Sequence, residues 1–130
     1  MLLIDANVIL RLLLYDDAEK AEQAKKVISE QKVILRYEII AEVVYVLQKI
    51  YGLPREEISS ALMRFVSLEN VETEHLDVLS EAFKVFAKKN LDFVDCLLYS
   101  FNTVKGESVF SFDKKLNTLL NGVNRQKGVN

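Results

Sequence analysis

Four acidic residues interrupt or close apolar runs, and their placement constrains the fold more than any other feature of the chain. Asp5 follows Met1-Leu2-Leu3-Ile4, and Glu42 sits inside Ile39-Ile40-Ala41-Glu42-Val43-Val44. Asp95 opens Asp95-Cys96-Leu97-Leu98, and Asp113 closes Val109-Phe110-Ser111-Phe112. Charged side chains usually lie on polar faces, whereas these are embedded in core-like sequence. A fold that gathers them cannot hold them ionised together without a cation. Oxygen ligands select a hard divalent metal, and the chemistry such a metal serves is phosphodiester hydrolysis.

The pattern between these acids is helical with short apolar interruptions. One proline and four glycines leave few breaks. Residues 2–4 read as a buried strand, followed directly by a helix over 6–14. Asp17 is placed to cap a second helix, with Ala18, Ala21, Ala24, Val27 and Ile28 at helical spacing. Residues 33–35 read as a strand and 38–51 as an apolar helix that Gly52 stops. Pro54 suits the first turn of the next helix, which carries Ile58, Ala61, Leu62, Phe65 and Val66 on one face. Then follow a weak strand at 70–72, a helix at 76–89 with Leu76, Leu79, Phe83 and Phe86 inward, and a helix at 92–103. A strand at 108–112 leads into a helix at 113–120 that Asn121-Gly122 ends, and 121–130 read as a tail or an edge strand. Strands alternating with helices imply a parallel sheet covered on both faces, an α/β architecture. Ligands in such sheets bind beyond the carboxyl ends of the strands, where this reading puts both Asp5 and Asp113.

Each acid also has a structural explanation. Asp5 and Asp113 can cap the helices that follow them. Asp92-Phe93-Val94-Asp95 has the spacing of a capping box. Glu42 is harder to explain: Glu38 lies one turn away, and no lysine or arginine stands three or four residues to either side. The four together supply the oxygen donors of a magnesium site, which keeps several waters and needs no closed protein cage. Asn7 and Ser111 are spaced to orient these carboxylates or metal waters. Arg11 is placed to meet a phosphate, a partner protein, or Asp16; Lys114 and Lys115 are placed to meet RNA phosphates or simply water. His75, the single histidine, reads as a solvated helix start, and Cys96 as core rather than nucleophile. There is no glycine-rich phosphate loop and no Gly-x-Ser-x-Gly elbow.

The 130 residues read as one domain, with half the residues apolar and 28% charged, as expected of a globular chain. The net charge of −2 argues against holding nucleic acid by bulk positive potential. A lone cysteine fits a reducing cytoplasm. Asp5 and Arg11 break the first apolar stretch, so neither a signal peptide nor a membrane span is expected.

Leu3-Ile4-Asp5-Ala6-Asn7-Val8-Ile9-Leu10-Arg11 resembles the opening of a PIN domain, specifically of VapC-type toxins. Ala41-Glu42-Val43-Val44-Tyr45-Val46-Leu47 resembles that family's second acidic motif, Asp92-Phe93-Val94-Asp95-Cys96-Leu97-Leu98 its third, and Phe110-Ser111-Phe112-Asp113-Lys114-Lys115-Leu116 its fourth. The resemblance implies a three-layer α/β/α sandwich around a parallel sheet. It implies a Mg2+- or Mn2+-dependent endoribonuclease, RNA as substrate, a cognate antitoxin and a homodimer. Asp5, Glu42, Asp95 and Asp113 would be the catalytic, metal-binding quartet, with Asp92 nearby. The antitoxin would lay an apolar helix in a groove, for which the helices at 18–30 and 38–51 are candidate walls. There are two departures: Arg36-Tyr37-Glu38 stand where a small hydroxyl residue or proline is common, and Cys96 replaces a frequent alanine. The rival readings are a non-toxin RNA-processing nuclease with the same chemistry and an inactive module that binds protein or RNA. A phosphorylation-switched signalling domain is disfavoured because no acceptor Asp follows 33–35. An Asp-x-Asp phosphohydrolase is disfavoured because the second position is Asn7.

Overall fold

The computed structural model describes residues 1–126, with side chains to residue 122. These residues form two compact units, Met1–Glu74 and a second that begins at His75.

The first unit carries the sheet. Strand β1 (Leu2–Leu3) pairs in parallel with β2 (Val33–Leu35), which pairs in parallel with β3 (Val71–Thr73). Leu2 lies opposite Val33, and Val33 opposite Val71. Parallel neighbours require crossovers. Helices α1 (Ala6–Leu14) and α2 (Ala18–Glu30) make the first, and α3 (Tyr37–Tyr45) and α4 (Arg55–Val66) the second. The start of α1 follows from its cap: Asp5 Oδ1 accepts the N–H of Val8 at 3.1 Å. Asp17 does the same for Lys20 at the start of α2. Arg36, at the α3 cap, makes no side-chain cap bond, and its guanidinium pairs with Glu38 instead. Helix α3 continues as a π turn over Val46–Ile50, after which Gly52 takes a positive φ of 66°. Ile9, Ile40, Val43, Leu47, Ile58 and Leu62 are each at most 1% exposed. Each buried side chain of this kind contributes about 1.5–3 kcal/mol.

The second unit is helical among the described residues: α5 (Leu76–Lys88), α6 (Phe93–Lys105) and α7 (Lys114–Gln126). Phe93 locks α6 to α5, stacking on Phe83 at 5.4 Å and meeting Phe86 edge-on at 5.9 Å. Cys96 is fully buried, as its apolar setting predicts.

The expected α/β class with a parallel sheet is observed, and several boundaries change. The weak strand falls at 71–73 rather than 70–72. The helix expected at 38–51 begins at Tyr37 and ends in the π turn. Leu76, expected inward, is 44% exposed, because the packed stripe of α5 begins at Val78. The strand expected at 108–112 is absent, and among the described residues the sheet has three strands. Side-chain amides occupy carbonyls that a ladder would use: Asn102 Nδ2 donates to the Glu107 carbonyl and Asn117 Nδ2 to that of Ser111. Asp113 therefore ends a loop, not a strand. Helix α7 does not stop at Asn121-Gly122, and residues 121–126 are helical rather than a tail or edge strand. A mid-helix glycine costs about 1 kcal/mol, which burial of Leu116 and Leu120 offsets. The rest of the expected tail, residues 127–130, lies outside the described residues.

Candidate active site

In the second unit, Asp92, Asp95 and Asp113 line one cleft of about 400 Å³ with Asn90, Phe112, Lys114 and Lys115. Local sequence explains each position. Phe93, Cys96 and Leu97 are buried and fix the face of α6, which leaves Asp95 part-buried in its first turn. Asp92 precedes the helix with extended backbone but makes no side-chain cap bond. The expected capping box is thus not formed, and Asp92 lines the cleft. Asp113 caps α7, its Oδ1 accepting the N–H of Leu116 at 2.8 Å. Ser111 holds the residue from the other side, its hydroxyl accepting the Asp113 N–H at 3.0 Å.

Asp95 feels both of its acidic neighbours. Burial lifts the Asp95 carboxyl above the ordinary carboxylate range, and the charges of Asp113 and Asp92 lift it further. No positive side chain offsets this shift. Lys114 and Lys115 make no ion pair among the described residues.

The first unit holds the other two acids. Asp5 and Asn7 line a cleft of about 750 Å³ at the carboxyl end of β1, walled by Ala24 and Val27 of α2 and by Ile39 of α3. Glu42 does not line that cleft and is exposed on α3, one turn beyond Glu38. Its carboxylate therefore stands in water, and its apolar neighbours Val43 and Val44 point into the core. Arg11 lines the same cleft but is bound to Asp16, with Nη1 at 2.9 and 2.8 Å from the two carboxylate oxygens. The Arg11 Nε is buried and has no hydrogen-bond partner.

Among the described residues, no group of three or more His, Cys, Asp or Glu side chains stands close enough to enclose a metal ion. The donor chemistry nevertheless fits a hard cation that keeps its waters: three carboxylates share the second unit's cleft, and two of them raise the cost of charge on Asp95.

A PIN domain family model matches residues 2–119. The chain belongs to the PIN domain family. It is also 30% identical over 102 residues to a protein named VapC ribonuclease from Aquifex aeolicus (strain VF5), a match covering 75% of each chain. No solved structure matches. Asp5, Glu42, Asp95 and Asp113 all lie within the span matched by the PIN model, as do Asn7, Asp92 and Ser111. No helix of the described residues is long and apolar enough to cross a membrane. Two exposed residues escaped the sequence reading, Phe110 and Phe112, because the apolar run 108–112 reads as a strand.

Proposed function

We propose that this protein is a Mg2+- or Mn2+-dependent endoribonuclease and the toxin of a toxin–antitoxin pair. The observation that carries the reading is the cleft in which Asp92, Asp95 and Asp113 converge beside Lys114 and Lys115, in a PIN-family chain similar to a VapC ribonuclease. Asp5, Glu42, Asp95 and Asp113 are the acidic quartet by their place in the four motifs, within a single functional domain. Asp95 and Asp113, with Asp5 and Glu42 by their motifs, would hold a divalent ion, which would lower the pKa of bound water and neutralise charge on the scissile phosphate. The chain's own residues do the rest. Asp113 is held by its cap bond to Leu116 and through Ser111, so its free oxygen has a fixed direction. Asp95 stays in place by the packing of α6, while Lys114 and Lys115 take RNA phosphates.

The antitoxin occupies the larger cleft in this reading. Its walls come from α2 and the start of α3, both expected from sequence, and it is rimmed by Lys20 and Arg36. An apolar helix fits that lining. The protein works in the cytoplasm as a homodimer.

The test is cleavage of total cellular RNA by purified protein in magnesium, manganese or EDTA, beside Asp95→Asn. Metal-dependent cutting that disappears in the variant supports the reading; cutting that persists in the variant or in EDTA sinks it. Co-purification with a small partner encoded nearby tests the toxin assignment.

A further inference from the structure

We propose that the loop between α6 and α7 is a stacking platform for single-stranded RNA, built from Phe110 and Phe112 at the edge of the acidic cleft. The inference deepens the nuclease reading and rests on it, since it assigns how the substrate of that same site is held.

Phe112 is 92% exposed and Phe110 78%, the two most exposed large apolar side chains among the described residues. Apolar rings are left in water where a partner covers them. Their exposure does not come from a frayed loop. Gly106 closes α6 at a positive φ of 73°, and the Glu107 N–H donates to the Phe101 carbonyl at 3.2 Å. The Asn102 amide donates to the Glu107 carbonyl at 2.8 Å, and the Asn117 amide to the Ser111 carbonyl at 2.7 Å. Both ends of the loop are therefore tied to helices. The two rings also fix each other, edge to face at 5.2 Å and 77°. This leaves a ring face of each open to a planar ligand.

The neighbours select the occupant. Phe112 lines the same cleft as Asp92, Asp95 and Asp113, and Lys114 and Lys115 line it too. Two rings for bases, two ammonium groups for phosphates and one of the cleft's carboxylates, Asp113, lie within six consecutive residues, Phe110 to Lys115. An apolar peptide would use the rings but not the lysines. Duplex RNA would use the lysines but not the rings, because its bases are already stacked. Single-stranded RNA uses both, and base–aromatic stacking tolerates any sequence because every base has a π-face. Phe110 and Phe112 are thus positioning residues: they seat the bases flanking the phosphate that the acids attack.

The experiment is equilibrium binding of a short labelled single-stranded RNA in EDTA, where no cleavage intervenes, for wild type, Phe112→Ala, the double variant Phe110→Ala/Phe112→Ala, and Phe112→Trp. A fluorescent purine in the same RNA reports stacking by loss of emission. The alanine variants should bind roughly 10-fold more weakly per lost stack, lose the quench and keep the salt slope, and Phe112→Trp should restore both. In magnesium, KM should rise more than kcat falls. Thermal melting should change little, because neither ring is buried. Unchanged affinity, quench and KM in the double variant overturn the platform, while metal-dependent cutting by the wild type leaves the nuclease standing. A wild type that neither binds nor cuts RNA removes both. A double variant that turns from dimer to monomer in sedimentation, with RNA binding intact, assigns the rings to a contact between copies and likewise overturns the proposal.

Discussion

The hydroxyl of Ser111 accepts the backbone N–H of Asp113 across 3.0 Å, so a residue two positions earlier fixes the backbone from which that carboxylate projects. Asp113 then accepts the Leu116 N–H with Oδ1. The carboxylate is restrained from both sides.

Ser111→Ala removes the first restraint and leaves Asp113 N–H to water. Such a bond contributes about 0.5–1.5 kcal/mol. The variant should lose no more than that in denaturant unfolding, yet lose about 10-fold in kcat/KM, because orienting partners of a ligand act on geometry. Ser111→Thr should keep most activity. Equal stability and equal cleavage in the alanine variant would show that Asp113 needs no such restraint.

Asp95→Asn should separate stability from activity. The folded-state pKa of Asp95 is raised, chiefly by burial and then by Asp113 and Asp92. For a raised acid, stability is full below its unfolded pKa and is lost as pH rises through the folded value. Wild type and variant should therefore melt together in acid, and the variant should melt higher at neutral pH in EDTA. Cleavage should fall on the order of 100-fold. Thermal melting against pH checks the first part, and RNA hydrolysis the second.

Magnesium or manganese should raise the melting temperature of the wild type in proportion to the logarithm of free metal above Kd. The same titration on Asp113→Asn should give a smaller rise. This measurement needs no substrate, so it distinguishes a missing metal site from a missing RNA target.

The Arg11–Asp16 pair predicts behaviour at acid pH. Hydrogen bonding to Arg11, with its charge, holds the Asp16 carboxyl below the ordinary range. A lowered acid contributes stability above its unfolded pKa and loses it as pH falls through the folded value. The stability curve of wild type should thus fall more steeply than that of Asp16→Asn below about pH 4, and 1 M salt should reduce the difference because the pair is exposed.

Gly106→Ala forces a side chain into the left-handed region at φ 73°. Nothing crowds the added methyl group, so the cost is backbone strain alone, about 1–2 kcal/mol. A change well below this range in denaturant unfolding would mean that the turn relaxes.

Most helices were legible because their apolar stripes and caps agree: Asp17 capping α2 and Ile58, Leu62 and Phe65 burying α4 are visible in residue order. Asp5 and Asp113 do cap the helices that follow them, and each cap uses one oxygen and leaves the other. Ser108–Phe112 misled because a short apolar run becomes a strand only when a neighbouring strand supplies partners. Asn102 and Asn117 supply them here from helices, a tertiary fact that no local pattern encodes. Glu42 looked anomalous because the linear run around it is apolar; the helix turns its neighbours inward and the carboxylate outward. The Asp92 box failed for the opposite reason: sequence spacing permits that bond, but Asp92 lines the cleft without making it.

The π turn at Val46–Ile50 has a consequence for chain length. Such a turn is an α-helix holding one residue too many. Deleting exposed Lys49 should let the segment relax to ordinary α-helix, with Glu42 upstream and Gly52 downstream keeping their phase. The same deletion in α4 would rotate every following residue by about 100° and pull Phe65 from the core. One residue can therefore be lost here without disturbing the acid before it, so this turn holds slack in chain length that the α-helices around it do not.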